Sequence, residues 1–202
     1  AVIDTGVDAE QMSQGSLAGA VTIRRGIDDE YEVDCEASDL EGHGTAVVSA
    51  TADHTGMPVY SVGLADWSND ADAMALARAI LWCVDNGMQV INISAGSTSH
   101  TTSALLAPIC ARAASAGIII VAAQHNDGLV SYPAHLPSVI GVRGAKIYGD
   151  RTYHYCPGQS IECVARGDAQ RLRWGSGRQV LIGGNSFAAP RITGIVARLK
   201  EQ

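Results

Sequence analysis

The chain has 202 residues, 47% of them apolar but only 5% aromatic, and a formal charge of −7 at pH 7. That length fits one domain with a sizeable core, which the scarcity of rings leaves to Ala, Val, Ile and Leu. A net acidic chain without a basic stripe argues against a nucleic-acid partner, and no apolar run reaches the roughly 18 residues of a membrane span, so no membrane partner is expected either.

Short apolar runs alternate with helical patterns, which predicts a parallel α/β sheet with helices on its faces. A strand over residues 1–4 comes first, and a second over 21–24. The acidic stretch from Asp28, Asp29 and Glu30 to Glu36 is weighed against calcium binding. It lacks calcium-loop spacing and reads as a solvated acidic loop. A helix is expected from His43 to about Asp53, then a strand over 58–63. The best helical pattern covers 71–86: Asp70 or Asp72 can cap it, Met74, Ala77, Ile80, Leu81 and Val84 recur at helical spacing, and Gly87 ends it. A strand over 89–93 precedes a helix over 102–116, closed by Gly117. Strands over 118–123, 139–142 and 180–182 follow, then a last helix over 186–200. No repeat, linker or low-complexity stretch interrupts the chain, so residues 1–202 read as a single domain.

Cys35, Cys83, Cys110, Cys156 and Cys163 make an odd set without paired-motif or zinc-ligand spacing. Reduced, mostly buried thiols are the simpler reading and favour a cytoplasmic setting, although a Cys156–Cys163 bridge across a hairpin stays open. No signal peptide is visible. The chain starts without Met inside an apolar strand, so targeting information is read as missing rather than absent.

Three separated stretches carry the chemistry: Val2-Ile3-Asp4-Thr5-Gly6-Val7-Asp8, Gly42-His43-Gly44-Thr45 and Gly184-Asn185-Ser186-Phe187-Ala188-Ala189-Pro190. A serine hydroxyl is a weak nucleophile until a base takes its proton, and the base needs a carboxylate to hold its tautomer. Alone, Asp4 would be a turn residue and His43 a polar helix start. Together they place an acid at a strand end and an imidazole and a hydroxyl at helix starts. These converge on the carboxyl edge of an open α/β sheet, where helix N-termini favour developing negative charge.

In this order and with these neighbours, the motifs resemble the subtilisin-like serine proteases (subtilases). The serine motif departs from the usual Gly-Thr-Ser-Met-Ala-Ser-Pro at Asn185, Phe187 and Ala189, and Ala46 stands where a second histidine is common. Ile119-Ile120-Val121-Ala122-Ala123-Gln124-His125-Asn126 is similar to the family's strand ending in its oxyanion-hole asparagine. The resemblance covers nearly the whole chain. It implies a three-layer α/β fold, a mostly parallel sheet flanked by helices, and a serine endopeptidase acting through an acyl-enzyme. Ser186 would be the nucleophile, His43 the base, Asp4 its orienting carboxylate, and Asn126 with the Ser186 N–H the oxyanion donors.

The resemblance further implies that Ser94, Ala95 and Gly96 pair with an extended substrate as an added strand. It places Ala123, Gln124, His125 and Ser131 around the primary pocket, with Ser131-Tyr132-Pro133-Ala134 at its base. Gln124 and His125 stand where the family commonly has alanine and glycine, which predicts a narrowed pocket preferring small or acidic P1 residues. His54, His100, His135 and His154 read as surface or capping residues. No cofactor and no metal ligands are expected. The partner is a peptide or protein substrate, either one precursor or many; a propeptide or larger parent protein is left open. Two other readings are a catalytically silent subtilase-like scaffold and an aspartic protease built on Asp4-Thr5-Gly6. The second would need another carboxylate, and the chain has no second Asp-Thr-Gly.

Overall fold

The computed structural model describes residues 1–28, 30–65, 72–148, 153–174 and 177–202. In chain order the elements are β1 (Val2–Asp4), a 3-10 turn (Ala9–Gln11), β2 (Leu17–Arg25), β3 (Tyr31–Asp34), α1 (His43–Thr55), β4 (Val59–Leu64), α2 (Ala73–Asp85), β5 (Val90–Ile93) and α3 (His100–Ser115). Then come β6 (Ile119–Ala123), β7 (Val139–Ala145), β8 (Tyr153–Tyr155), β9 (Cys163–Arg166), β10 (Gln170–Trp174), β11 (Arg178–Ile182) and α4 (Asn185–Lys200).

Nine strands form one sheet in the order β3-β2-β4-β1-β5-β6-β7-β9-β8, and β10 pairs with β11 as a separate hairpin. From β2 to β9 every neighbour is parallel, while the edge strands β3 and β8 run antiparallel. The chain lays β2 and β4 on one side of β1 and then crosses to β5 on the other. The switch point therefore falls at β1, the strand that ends in Asp4.

Both faces are covered, as a parallel sheet requires. Alternation divides β1 and β6 between two cores. Ile3, Ile120 and Ala122 face the side of α2 and α3 with Leu76, Ile80, Leu106 and Cys110. Val2 packs with Val47 of α1 and with Phe187 of α4. Val121 and Ala123 pack with Ala188, Ala189 and Ile192 of α4. The result is the expected α/β/α sandwich. Two of its buried polar residues satisfy each other, since Thr193 Oγ1 donates to Asn92 Oδ1 (2.9 Å) while Asn92 Nδ2 donates to Ser94 Oγ (3.1 Å).

Several expectations change. The acidic stretch is not all loop. Tyr31–Asp34 forms β3, in which Tyr31 and Val33 pack toward the core and Arg24 pairs with Asp34 at 3.6 Å. Asp29 lies outside the described residues, as does the alternative cap Asp70. Asp72 is the cap of α2, accepting from the Met74 and Ala75 N–H groups. Helix α3 begins earlier than expected because Ser99 caps it. The Cys156–Cys163 bridge does not form: Cys163 stands opposite Tyr155, and the Cys156 N–H donates to the Glu162 carbonyl. All five cysteines are free.

Candidate active site

Asp4 closes β1, His43 opens α1 and Ser186 is the second residue of α4. Asp4 is 3% exposed, so its carboxylate is sustained by specific partners. Its Oδ1 accepts from the Thr5 N–H (2.8 Å) and lies 2.7 Å from His43 Nδ1. Its Oδ2 is buried without a partner. With Nδ1 turned to the carboxylate as a donor, Nε2 is left as the basic nitrogen. Burial works against the charged imidazole. The Asp4 charge and hydrogen bond, joined by the charges of Asp39 and Glu41, together outweigh it, and the pKa is raised above its ordinary value.

The cap residue of α1, Gly42, makes no side-chain cap. Asp39 does that work from three residues upstream. Its Oδ1 accepts from Thr5 Oγ1 (2.9 Å) and the Gly42 N–H (2.8 Å), and its Oδ2 from the Thr45 N–H (2.7 Å) and Thr45 Oγ1 (2.6 Å). One carboxylate thus ties the turn after Asp4 to the turn before His43. Gly44 sits where these turns cross: a Cβ there would stand 2.2 Å from the Gly6 carbonyl oxygen. Around the imidazole, the Phe187 ring lies 5.6 Å away and the Trp174 ring 6.0 Å away, edge-on. Trp174 Nε1 donates to the Glu41 carbonyl (2.7 Å).

Ser186 is 9% exposed, and its Oγ has the Ser94 carbonyl as its hydrogen-bond partner at 3.5 Å. Pro190 lies inside α4 and has no N–H to give the carbonyl four residues back, which is that of Ser186. The Ser94 hydroxyl takes over, donating to the Ser186 carbonyl (3.1 Å). Ser94 therefore braces the serine turn with its side chain. Gly96 and Ser97 run beside Tyr132, with reciprocal Ser97–Tyr132 backbone bonds of 3.0 and 2.8 Å.

Ser94, Ala95, Gly96, Ala123, Gln124, His125, Asn126, Asp127, Ser131 and Ser186 enclose one pocket of about 410 Å³. All seven residues expected at the substrate site thus border it, together with Asn126 and Ser186. The Asn126 Oδ1 accepts from the Asn185 N–H (3.0 Å). Only oxygen can face that donor, which leaves the amide NH2 as the free end. The Ser131 hydroxyl accepts from the His125 N–H (2.9 Å), so it fixes the wall. Gln124 folds onto its own turn, donating to the Gly128 carbonyl (3.1 Å). His125 Nδ1 accepts from the Asp127 N–H (3.2 Å), and the Asp127 carboxylate lies 3.9 Å from that nitrogen. Asp127 was not anticipated at the pocket. Its negative charge opposes an acidic occupant as much as a charged His125 would attract one.

Two of the other histidines have a place in the local structure. His135 Nδ1 meets the Ser131 backbone (2.9 Å to its carbonyl oxygen), and His100 opens α3. Among the described residues, no cluster of His, Cys, Asp and Glu is arranged to hold a metal ion. Sequence reasoning missed Asp39, Asp127 and Trp174, and of these only Asp39 left a signal, as an acid just ahead of a Gly-His-Gly turn that lacks its own capping side chain. Asn185 stood out in the sequence as a departure from the family's serine motif beside the nucleophile.

The subtilase family model matches residues 1–202. A thermostable alkaline protease of Halalkalibacterium halodurans is 32% identical over 176 residues, covering 81% of this chain and 48% of that protein. Subtilisin DY of Bacillus licheniformis is 28% identical over 212 residues, covering 97% of this chain and 74% of its own length. The chain thus spans about half the length of the first relative. Among solved structures, the S41 psychrophilic protease superposes with a TM-score of 0.78 at 24% identity, covering 98% of this chain and 75% of that one.

Proposed function

Because the chain belongs to the subtilase family, we propose that it is a serine endopeptidase in which Asp4, His43 and Ser186 act as the triad and Asn126 as an oxyanion donor. The observation that carries the proposal is the buried 2.7 Å contact between Asp4 Oδ1 and His43 Nδ1, beside a pocket that Ser186 borders. His43 Nε2 takes the Ser186 Oγ proton as Oγ bonds to the scissile carbonyl carbon. The carbonyl π electrons move onto oxygen, where the Asn126 amide and the Ser186 N–H stabilise the charge. Collapse breaks the C–N bond, and the imidazolium gives its proton to the leaving amine. Water, deprotonated by the same imidazole, releases the acyl group and restores Ser186.

The substrate enters as an extended peptide along Ser94, Ala95 and Gly96, with its P1 side chain between Ala123, Gln124, His125 and Ser131. An aspartic-protease reading has no support, since the partner of the Asp4 carboxylate is an imidazole rather than a second acid. A silent peptide-binding domain is the second reading, favoured by the placement of Ser186 Oγ on the Ser94 carbonyl. Peptide hydrolysis by the parent protein and by Ser186→Ala tests the proposal. Turnover in the variant should fall to background with the fold retained, and turnover within about tenfold of the parent overturns the assignment.

A further inference from the structure

Asn185 precedes the serine, is 8% exposed and has every polar atom of its side chain engaged. Its Oδ1 accepts from the Gly144 N–H on β7 (2.6 Å), and its Nδ2 donates to the carbonyls of Gln124 (2.9 Å) and His125 (3.0 Å) beyond β6. Its own N–H donates to Asn126 Oδ1 (3.0 Å). One residue therefore joins the start of α4, the edge of β7 and three consecutive residues of the pocket wall. The surroundings dictate a carboxamide. A backbone N–H on one side demands oxygen, and two carbonyls on the other demand two N–H bonds. A threonine, usual at this position in the family the chain resembles, has one donor and a shorter reach. A carboxylate has the right shape but would set an anion against two carbonyl oxygens. Gly144 lies close against this carboxamide: a Cβ there would stand 3.1 Å from Asn185 Oδ1, so the side chain would have to shift by a few tenths of an ångström.

We propose that Asn185 is a positioning residue: its carboxamide clasps wall residues 124–126 to α4 so that the Asn126 NH2 and the Ser186 N–H stay aligned on one oxyanion. This rests on the endopeptidase reading given above. Small displacements of aligned groups are expensive in rate, on the order of 10² for about 1 Å, and an oxyanion donor is worth roughly 10²–10³ in turnover. The clasp acts through Asn126, so its removal should lower kcat far more than it raises KM. Its effect should vanish where Asn126 has no amide to aim.

The experiment is a double-mutant cycle on a peptide substrate, with kcat, KM and Tm for the parent, Asn185→Asp, Asn126→Ala and the double variant. Asn185→Ser, smaller and uncharged, runs in parallel in case the carboxylate prevents folding. Asn185→Asp or Asn185→Ser should lower kcat about tenfold to a hundredfold, with KM within about threefold. In the Asn126→Ala background the same change should alter kcat by less than about threefold. Equal factors in both backgrounds, or a fall in Tm with kcat intact, would overturn the proposal while leaving the endopeptidase reading untouched. A parent that neither cleaves peptides nor takes up a fluorophosphonate would overturn both.

Discussion

Two charges at 2.7 Å set the working range of the proposed base. Burial lowers the pKa of His43, but the Asp4 charge and hydrogen bond together with the charges of Asp39 and Glu41 outweigh it and raise the pKa above its ordinary value of 6.5. Only the neutral imidazole accepts a proton, so kcat/KM should be low below that pKa and climb as pH rises through a single ionisation above 6.5. Asp4→Asn removes both the charge and the acceptor. The midpoint should move down, and the plateau should fall by about 10⁴ as the imidazole loses its tautomer. An optimum near pH 4, or a midpoint unmoved by Asp4→Asn, would contradict these roles. At the pocket, His125 and Gln124 add bulk where Asp127 adds negative charge. Size, rather than charge, is therefore expected to decide P1. Alanine should be preferred to phenylalanine and to glutamate, and His125→Gly should raise kcat/KM for phenylalanine about tenfold. A parent that already favours phenylalanine, unchanged by the substitution, would show that the ring does not narrow the pocket.

Among the elements, α1 packs without spare room against the turn that follows β1. A Cβ at Gly44 would stand 2.2 Å from the Gly6 carbonyl oxygen and 2.9 Å from Thr5 Oγ1, atoms of the turn that follows Asp4. Relief requires β1 and α1 to separate, which disturbs the Asp4–His43 contact. Gly44→Ala should cost about 1–3 kcal/mol, a drop of several degrees in Tm at this size, and should lower kcat as well. Thermal unfolding together with a turnover assay checks both, and a parent-like Tm would show that the two turns give way easily. Most inner strands were legible because parallel strands covered on both faces are plain apolar runs such as Ile119–Ala123. The strands β3, β8, β9 and β10 were not. In β10 exposed arginines alternate with half-buried Leu172 and Trp174, and all three residues of β8 are exposed. Such strands exist through pairing with a neighbouring strand, β11 for β10 and β9 for β8, which their own side-chain pattern does not encode.

Across the whole molecule, a core with Phe187 as its largest buried side chain encloses three of the five cysteines. Burial pushes the Cys83 and Cys110 thiols up to about 12 and Cys163 to about 11, while Cys35 is exposed. A thiol reagent at pH 8 should modify Cys35 first and reach Cys83 and Cys110 only as the protein unfolds. Mass spectrometry of the modified chain checks this, and native labelling of Cys110 at the rate of Cys35 would mean an open core. The acid, imidazole and hydroxyl of the site could be read in sequence because each chemical type stands beside glycine in a short motif. The supports could not: Asn185 and Asp39 act through contacts 41 and 34 residues away in the chain, where fold rather than spacing sets the distance. The most direct test of the central claim is to treat the native protein with a fluorophosphonate and map the adduct. An adduct on Ser186, lost in His43→Ala, is the expected result; no adduct, or one on another residue, would contradict it.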